Sequence, residues 1–306
     1  MPPSIRHYSP FIATACVALI ALCAAASSFA QNPWEAVKKP SNQLPASIGG
    51  YSNGCLSGAE QMPLRGEGFQ LVRTGRDRHY GNPYLVEFLK DFSSAVEDNN
   101  LGRLQIGDMS MARGGPFSSG HQSHQMGLDV DIWFSQDKRA ARRPLSSWER
   151  DNISAIPMAD TRKHVLLEKN WDPRIPSILR IASEDPRVAR IFVHPTIKRK
   201  MCDISGSDNE WLRKVRPWWG HNYHFHVRLN CPPGDKNCKP QKKVRGKPCG
   251  GGLDWWFSDE FYAILNRPEP EEPEEPPEKP EMPAQCEQVL AAPAAVSERG
   301  RATVTD

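Results

Sequence analysis

Apolar side chains recur at helical and strand spacings in separate windows along the chain. After Asn82-Pro83, apolar residues at positions 85, 88, 89 and 92 share one face of a helix that begins at Pro83. Shorter helical patterns cover residues 148–156, 176–183 and 209–215. Apolar or alternating runs predict strands over residues 68–73, 103–109, 127–134, 190–193 and 223–229. Short strands with helices between them, without a repeating strand–helix unit, favour an α+β fold.

Two of these strands place polar side chains on a single face. Side chains two positions apart in a strand point the same way, so Asp129 and Asp131 share a face while their apolar neighbours enter a core. In the last predicted strand, His224, His226 and Arg228 share a face for the same reason.

The two ends of the chain differ in composition from its middle. Arg6, the apolar run over 11–26 and the small residues Ser28 and Ala30 indicate a signal peptide over residues 1–30, and the run is too short for a stable membrane span. Residues 31–61 read as an extended lead-in to one domain over 31–262. Residues 268–283 hold seven prolines and seven glutamates, so 263–306 is predicted to be a largely disordered tail that Cys286 ties back.

Six cysteines follow the predicted signal peptide. An even number in an exported chain suggests up to three disulfides, for which 15 pairings exist. Cys231 and Cys238 flank a short turn and form the best-supported pair; Cys55 with Cys286 would tie the chain ends together, and Cys202 with Cys249 would clip the region after the second histidine group. No CxxC occurs, so a cysteine-built zinc site or a thioredoxin-type redox centre has little support.

Charge gives no sign of a polyanionic partner. The net charge is +3, and basic and acidic residues are interspersed over most of the length. Residues 239–247 form a local basic loop, which is more typical of a solvated surface than of a nucleic-acid site. No nucleic-acid partner and no particular oligomeric state are predicted.

Five histidines and two aspartates fall in two windows, residues 118–134 and 221–228. Imidazole nitrogens with a carboxylate suit a divalent ion such as zinc, and three protein ligands with one open position are typical of catalytic sites. His124 and Asp131 are seven apart, and Gly127 allows the turn that brings them to one ion. His226 would complete the set from a separate strand.

The other histidines of these windows suit catalysis or orientation. His224 shares the face of His226 and is the natural general base or stabiliser of a charged intermediate. His221 lies one step further out and could orient water or substrate. Asp129 is expected to hold a ligand histidine or cap a turn. Arg113 and Arg228 could each meet a substrate carboxylate or pair with an aspartate.

Other hydrolase patterns are excluded. Residues 135–138 fit S-x-x-K, but neither S-D-N nor K-T-G accompanies them, so a penicillin-binding serine enzyme is not indicated. No H-E-x-x-H occurs, which excludes a thermolysin-like arrangement.

The stretches GHQSHQMGLDVDIWF and WLRKVRPWWGHNYHFHVRLNCP resemble those of the penicillin-insensitive murein endopeptidases. These belong to a superfamily of zinc enzymes that also holds lysostaphin, the D-Ala-D-Ala dipeptidases and the hedgehog amino-terminal domain. The resemblance covers residues 51–257 and Cys286. It implies a small antiparallel sheet with flanking helices and long loops, stapled by disulfides.

The resemblance also implies roles for individual residues. His124, Asp131 and His226 match the zinc ligands, and His224 matches the catalytic histidine. His121 would add a ligand in the absence of substrate. A second metal is associated with a segment resembling Asp160 to His164.

The function implied is a periplasmic, zinc-dependent hydrolase of the D-alanyl to meso-diaminopimelyl cross-link of peptidoglycan, insensitive to β-lactams. Two alternatives stay open. One is a non-catalytic, metal-stabilised module that binds cell wall. The other is a carboxypeptidase or amidase acting on the same stem peptide.

Overall fold

The computed structural model describes residues 32–250, 252–268 and 281–296. Within them the helices are α1 Pro33–Ala36, α2 Pro83–Asp98, α3 Lys138–Arg142, α4 Ser147–Asn152, α5 Ile175–Glu184, α6 Pro195–Ser205, α7 Asp259–Leu265 and α8 Gln285–Ala291. The strands are β1 Ala46–Gly50, β2 Asn53–Ser57, β3 Glu60–Gln61, β4 Arg65–Gly66, β5 Phe69–Leu71, β6 Tyr80–Gly81, β7 Leu104–Ile106, β8 Asp129–Trp133, β9 Ala159–Asp160, β10 Val165–Leu166, β11 Val188–Val193, β12 Val215–Pro217 and β13 His224–Leu229. This mixture confirms the α+β class.

The main sheet has seven strands in the order β12-β11-β13-β8-β7-β5-β4. The two central strands, β13 and β8, pair antiparallel, with His226 opposite Asp131 and Arg228 opposite Asp129. The sheet is mixed rather than purely antiparallel, because β11 pairs with β12 and β5 with β7 in parallel. Three further two-stranded sheets, among them the β1–β2 hairpin, lie outside it within the described residues.

The core lies against one face of the central strands. α2 begins at Pro83 as predicted, because the Asn82 side chain accepts a hydrogen bond from the Tyr84 amide and proline suits the first helical position. Its apolar stripe shares one buried cluster with α5 and with Val130, Ile132 and Val227 of the sheet. The polar side chains at alternate positions of β8 and β13 therefore gather on the opposite face.

Three local predictions differ from the structure. The lead-in over 31–61 is not simply extended, since it contains α1 and the β1–β2 hairpin. The helical pattern over 148–156 stops at Asn152, and that over 209–215 forms a 3₁₀ turn over Glu210–Arg213. The sequence pattern also missed α6, which begins directly after β11.

Three disulfides join Cys55 to Cys286, Cys202 to Cys249 and Cys231 to Cys238. These are the pairs suggested by the positions of the cysteines. The first bond fixes α8 beside β2, where Cys55, Cys286 and Val289 share a small buried cluster with Trp34 and Phe117. This small cluster connects the two ends of the described chain.

The chain after Cys286 was expected to be loose, and over residues 287–296 this is wrong. Arg113 donates from one guanidinium nitrogen to the carbonyls of Val289, Leu290 and Ala292 at 2.7–2.8 Å. It thereby caps the carbonyl end of α8, where a cation is favourable. Arg113 thus meets neither a substrate carboxylate nor an aspartate, the two roles expected for it.

Residues 1–31, 269–280 and 297–306 lie outside the described residues, and with them the predicted signal peptide and most of the Pro/Glu-rich segment. The division into signal peptide, domain and tail therefore stays a prediction. Within the described residues, no helix combines the length and apolarity needed to cross a bilayer.

We expect the Cys55–Cys286 bond to stabilise the fold far more than Cys231–Cys238. The two bonds close sequence separations of 231 and 7 residues. Because the stabilisation grows with the logarithm of loop length, changing both cysteines to alanine should cost about 5.5 kcal/mol for the long loop and about 2.4 kcal/mol for the short one. Denaturant unfolding of the two double variants measures the difference, and an equal or larger loss for Cys231 and Cys238 would contradict it.

Candidate metal centre

The loop that precedes β8 carries His121 and His124 onto the polar face of the sheet. Gly127 has a φ of +72°, and a Cβ there would lie 2.8 Å from the Asn82 amide nitrogen, so only glycine fits. His124 also adopts a left-handed conformation, with φ +68°. Its amide donates to Asp129 Oδ2 at 3.0 Å, which holds this strained residue in place.

The pairing of β8 with β13 brings Asp131 to His226, and His124 completes a triangle. His124 Nε2 lies 3.4 Å from Asp131 Oδ1, and His226 Nδ1 lies 3.2 Å from the same oxygen. The two nitrogens are 3.2 Å apart. All three side chains are buried. The residues named from spacing in the sequence therefore do converge on one point.

A cation fits this triangle better than a hydrogen-bond network does. His124 Nδ1 donates to the Met109 carbonyl and His226 Nε2 donates to Asp129 Oδ1, each at 2.9 Å. Their inner nitrogens therefore present lone pairs to each other and to Asp131 Oδ1, which is buried and has no hydrogen-bond partner among the described residues. Ligands of a tetrahedral ion bound at about 2.0–2.1 Å lie about 3.3–3.4 Å apart, close to the separations seen.

His121 extends the same group. With His124 and Asp131 it can offer ligand atoms that all lie within 4.8 Å of one another. Its Nε2 donates to Asp108 Oδ2 at 3.0 Å, which leaves Nδ1 facing Asp131 Oδ2 at 3.5 Å. Asp108 therefore accepts a hydrogen bond from the outer ring nitrogen of His121, as Asp129 does from that of His226. Asp108 was not identified from the sequence. It was the one carboxylate in the predicted strand over 103–109.

Asp129 lies outside the triangle and holds two of its members, His124 and His226. It is fully buried and accepts from the His124 amide, from His226 and, at 2.7 Å, from Arg228 Nε. Burial alone would raise the pKa of this carboxyl, but Arg228 and the histidines more than offset that and lower it. A carboxylate held in this way fixes the tautomer and direction of a ligand imidazole.

The pKa shifts show that the triangle favours a positive charge. Burial opposes ionisation of Asp131, yet His224 and His124 bring its pKa well below the ordinary value. Burial would likewise lower the pKa of His226, but Asp129 and Asp131 raise it overall. Without an ion, a proton would be drawn to the same place, which is the behaviour of a cation site.

His224 and His221 lie beside the triangle, on its open side. His224 Nε2 is 3.4 Å from Asp131 Oδ2, the oxygen atom that the triangle does not use, and burial lowers the His224 pKa. His221 Nδ1 donates to the Trp219 carbonyl at 2.6 Å. Burial, with repulsion from His224 and His226, lowers the His221 pKa to about 3. Both imidazoles are thus neutral near pH 7 and able to accept a proton or a hydrogen bond.

A sequence model of the penicillin-insensitive murein endopeptidase family matches residues 47–291. The chain belongs to this family. It is 43% identical over 246 residues to the penicillin-insensitive murein endopeptidase of Klebsiella pneumoniae (strain 342), a match that covers 79% of the chain and 87% of that relative. It is 42% identical over 242 residues, with the same coverage, to the protein of that name from Escherichia coli O157:H7 (strain EC4115 / EHEC). The resemblance seen in the two histidine windows is thereby confirmed, and the chain is a peptidase.

In this family member, the group of metal-ligating side chains found close together among the described residues, His121, His124 and Asp131, includes neither Asp160 nor His164. Asp160 Oδ1 accepts from the amides of Arg162 and Lys163, each at 2.9 Å, and so caps its own turn. His164 is buried against the rings of His194 and Phe261. Among the described residues, no group of three metal-ligating side chains forms there. A second metal stays a prediction from the resemblance.

His194 makes the stability of this family member depend on pH. It begins α6, where Nδ1 accepts from the Thr196 amide at 3.2 Å, and it is 1% exposed. Burial, with repulsion from His164, lowers its pKa from 6.5 to about 4. Below about pH 6.5 the unfolded chain therefore binds a proton at this histidine, whereas the folded protein binds it only below about pH 4. The free energy of unfolding consequently falls by about 3 kcal/mol as the pH is lowered from about 6.5 to about 4.

Denaturant unfolding at pH 7 and pH 4.5 measures this loss. His194→Asn keeps a helix cap and removes the titrating group, so its stability should fall less than that of the wild type over the same interval. Equal losses in the two proteins would show that other groups are responsible.

Proposed function

We propose that this protein is a zinc-dependent murein endopeptidase that hydrolyses the D-alanyl to meso-diaminopimelyl cross-link in the periplasm. The single observation that carries the proposal is the convergence of His124 Nε2, His226 Nδ1 and the unpartnered Asp131 Oδ1 within 3.2–3.4 Å. Mixed imidazole and carboxylate ligands suit zinc. Membership of the family and the names of its relatives support murein as the substrate.

The residues divide into holders of the metal and groups that handle protons. His124, Asp131 and His226 would hold zinc, with His121 as a further ligand in the absence of substrate. When bound, zinc acts as a Lewis acid that polarises a carbonyl and activates water near neutral pH. Asp129, Asp108 and the Met109 carbonyl hold the outer nitrogens of the three histidines and so set the direction of each ring.

His224 is proposed as the group that accepts and returns the proton during hydrolysis. It is buried and neutral, and Asp131 Oδ2 lies 3.4 Å from its Nε2, so the carboxylate stabilises the imidazolium when a proton arrives. His221 has its Nδ1 proton committed to the Trp219 carbonyl, which leaves Nε2 as an acceptor that can orient water or substrate. No step of this scheme uses an acylated serine, so β-lactams have no nucleophile to acylate.

Digestion of isolated sacculi followed by mass spectrometry of the products tests the proposal. We expect cross-linked dimers to turn into monomers, and a chelator to stop this until zinc is returned. Loss of terminal alanine would instead indicate a carboxypeptidase, and release of whole stems an amidase. Binding without any new product would indicate a cell-wall binding module.

The periplasmic location rests on the predicted signal peptide over residues 1–30 and on the substrate. Peptidoglycan lies outside the cytoplasmic membrane, and three disulfides suit an oxidising compartment. Fractionation of cells that express the full chain tests it, with the protein expected in the periplasmic fraction and shortened at its amino terminus.

A further inference from the structure

Among the described residues, the cleft that opens beside the metal triangle is lined by five cations and by no carboxylate. It has a volume of about 920 Å³ and is bounded by β11, β12, β13 and the basic loop over 239–247. The cationic side chains are Arg190, Arg216, Arg228, Lys243 and Arg245. Such a concentration of one sign of charge in a concave site attracts an anionic ligand.

Within the part of the chain that the structure describes, most charges of this cleft have no anionic partner. Arg228 is the exception, because it pairs with Asp129. Arg190 donates only to neutral acceptors, the side-chain oxygen of Gln241 and the carbonyl of Lys242. Among the described residues, the half-buried Arg216 forms no ion pair and no side-chain hydrogen bond. A partly desolvated guanidinium without a partner is costly, unless a ligand supplies the missing anion.

Strand register places Arg216 in the same row as the metal ligands. Asp131 on β8 faces His226 on β13, His226 faces Phe192 on β11, and Phe192 faces Arg216 on β12. Paired residues on neighbouring strands point to the same face of a sheet. Arg216 is two strands from His226, about 10 Å between Cα atoms, which a side chain as long as arginine's bridges in large part.

We propose that Arg216, with Arg190 beside it, binds a free carboxylate of the stem peptide next to the bond that is cut. This inference rests on the proposed function. Diaminopimelic acid has two carboxyl groups, and a cross-link through one of its amino groups leaves the carboxyl on the same carbon free. A guanidinium recognises a carboxylate through two parallel hydrogen bonds, so Arg216 would fix the position of the amide over the metal.

Two synthetic cross-linked peptides test this, one with that carboxyl free and one with it converted to the primary amide. The wild-type zinc enzyme should cut the acid with a kcat/KM about 10- to 100-fold higher than the amide, mainly through KM, since a hydrogen bond to a charged group is lost. Arg216→Gln should lower kcat/KM for the acid towards that of the amide, with a much larger fold-loss on the acid than on the amide, and Arg190 should keep the remainder of the preference. Arg216→Lys, which keeps the charge, should recover part of the preference.

Arg142→Gln is the matched control, because Arg142 is exposed on α3, outside this cleft. Equal rates for the two peptides with the wild type would overturn the inference, even if no Arg216 variant folded. An equal loss on both peptides with Arg216→Gln would also overturn it. A wild type that cuts neither peptide would contradict the proposed function itself, whereas the previous two outcomes leave that function standing.

Discussion

Replacing His226 by alanine is expected to abolish metal binding and to lower peptidase activity about 1,000-fold or more, because the Lewis acid is lost with it. The change removes one corner of the triangle and leaves Asp131 Oδ1 with a single imidazole nitrogen, that of His124 at 3.4 Å. It also removes the His226 ring from Asp129, which keeps Arg228 and the His124 amide as its partners. Zinc content after dialysis and the rate of muropeptide dimer cleavage measure the two effects.

His79→Ala is the matched control for this variant. His79 is buried to a similar degree but donates nothing to the triangle, and its ring nitrogen contacts Gln61 instead. Its loss should leave the zinc content equal to that of the wild type. If His226→Ala protein that is folded by circular dichroism keeps full zinc and full cleavage, His226 is not a ligand. His226→Gln, which nearly preserves the side-chain volume, answers the same question should the alanine variant fail to fold.

Replacing His224 by alanine should lower turnover but, unlike the His226 variant, should leave the metal bound. His224 faces Asp131 Oδ2 rather than the oxygen of the triangle, so its removal leaves the three ligand atoms in place. Positioned acid–base groups contribute about 10²–10⁴-fold, and we expect kcat to fall by that amount with little change in KM.

Single-turnover cleavage of a dimeric muropeptide, with zinc measured on the same sample, separates the two variants. The His79→Ala protein again provides the reference for loss of an imidazole elsewhere. Unchanged kcat in His224→Ala would exclude it from proton transfer. Loss of zinc in that variant would instead make it a ligand and would call for a different proton acceptor.

Local patterns in the sequence predicted α2 and the central strands because their own residues decide those elements. α6 escaped prediction because a lysine occupies a core position in it. Lys198 is 1% exposed, and its ammonium group donates to the Leu212 carbonyl at 2.7 Å. Burial, with repulsion from Arg216, lowers its pKa to about 7. A lysine in a sequence pattern normally indicates a solvent-exposed position, and this one does not. Only the tertiary structure reveals this.

The side chains of the candidate site were predictable from the sequence, but the backbone contacts that support them were not. Spacing and residue type were enough to name His124, Asp131 and His226, because strand periodicity fixes which side chains share a face. The supporting Met109 carbonyl was not, since a backbone oxygen has no signature in the sequence. Arg113 was assigned wrongly because α8, whose carbonyls it caps, is a seven-residue helix held by distant contacts rather than by its own periodicity.

The small cluster that joins Cys55 and Cys286 also supports the loop that carries His121 and His124. Phe117 belongs to this cluster, and the Phe117 ring lies against the rings of His121 and His124. Cys286 and Val289 complete the same cluster, and the Cys55–Cys286 bond fixes them there. The loop with the first two histidines therefore leans, through Phe117, on a segment that lies 165 residues or more further along the chain than His121.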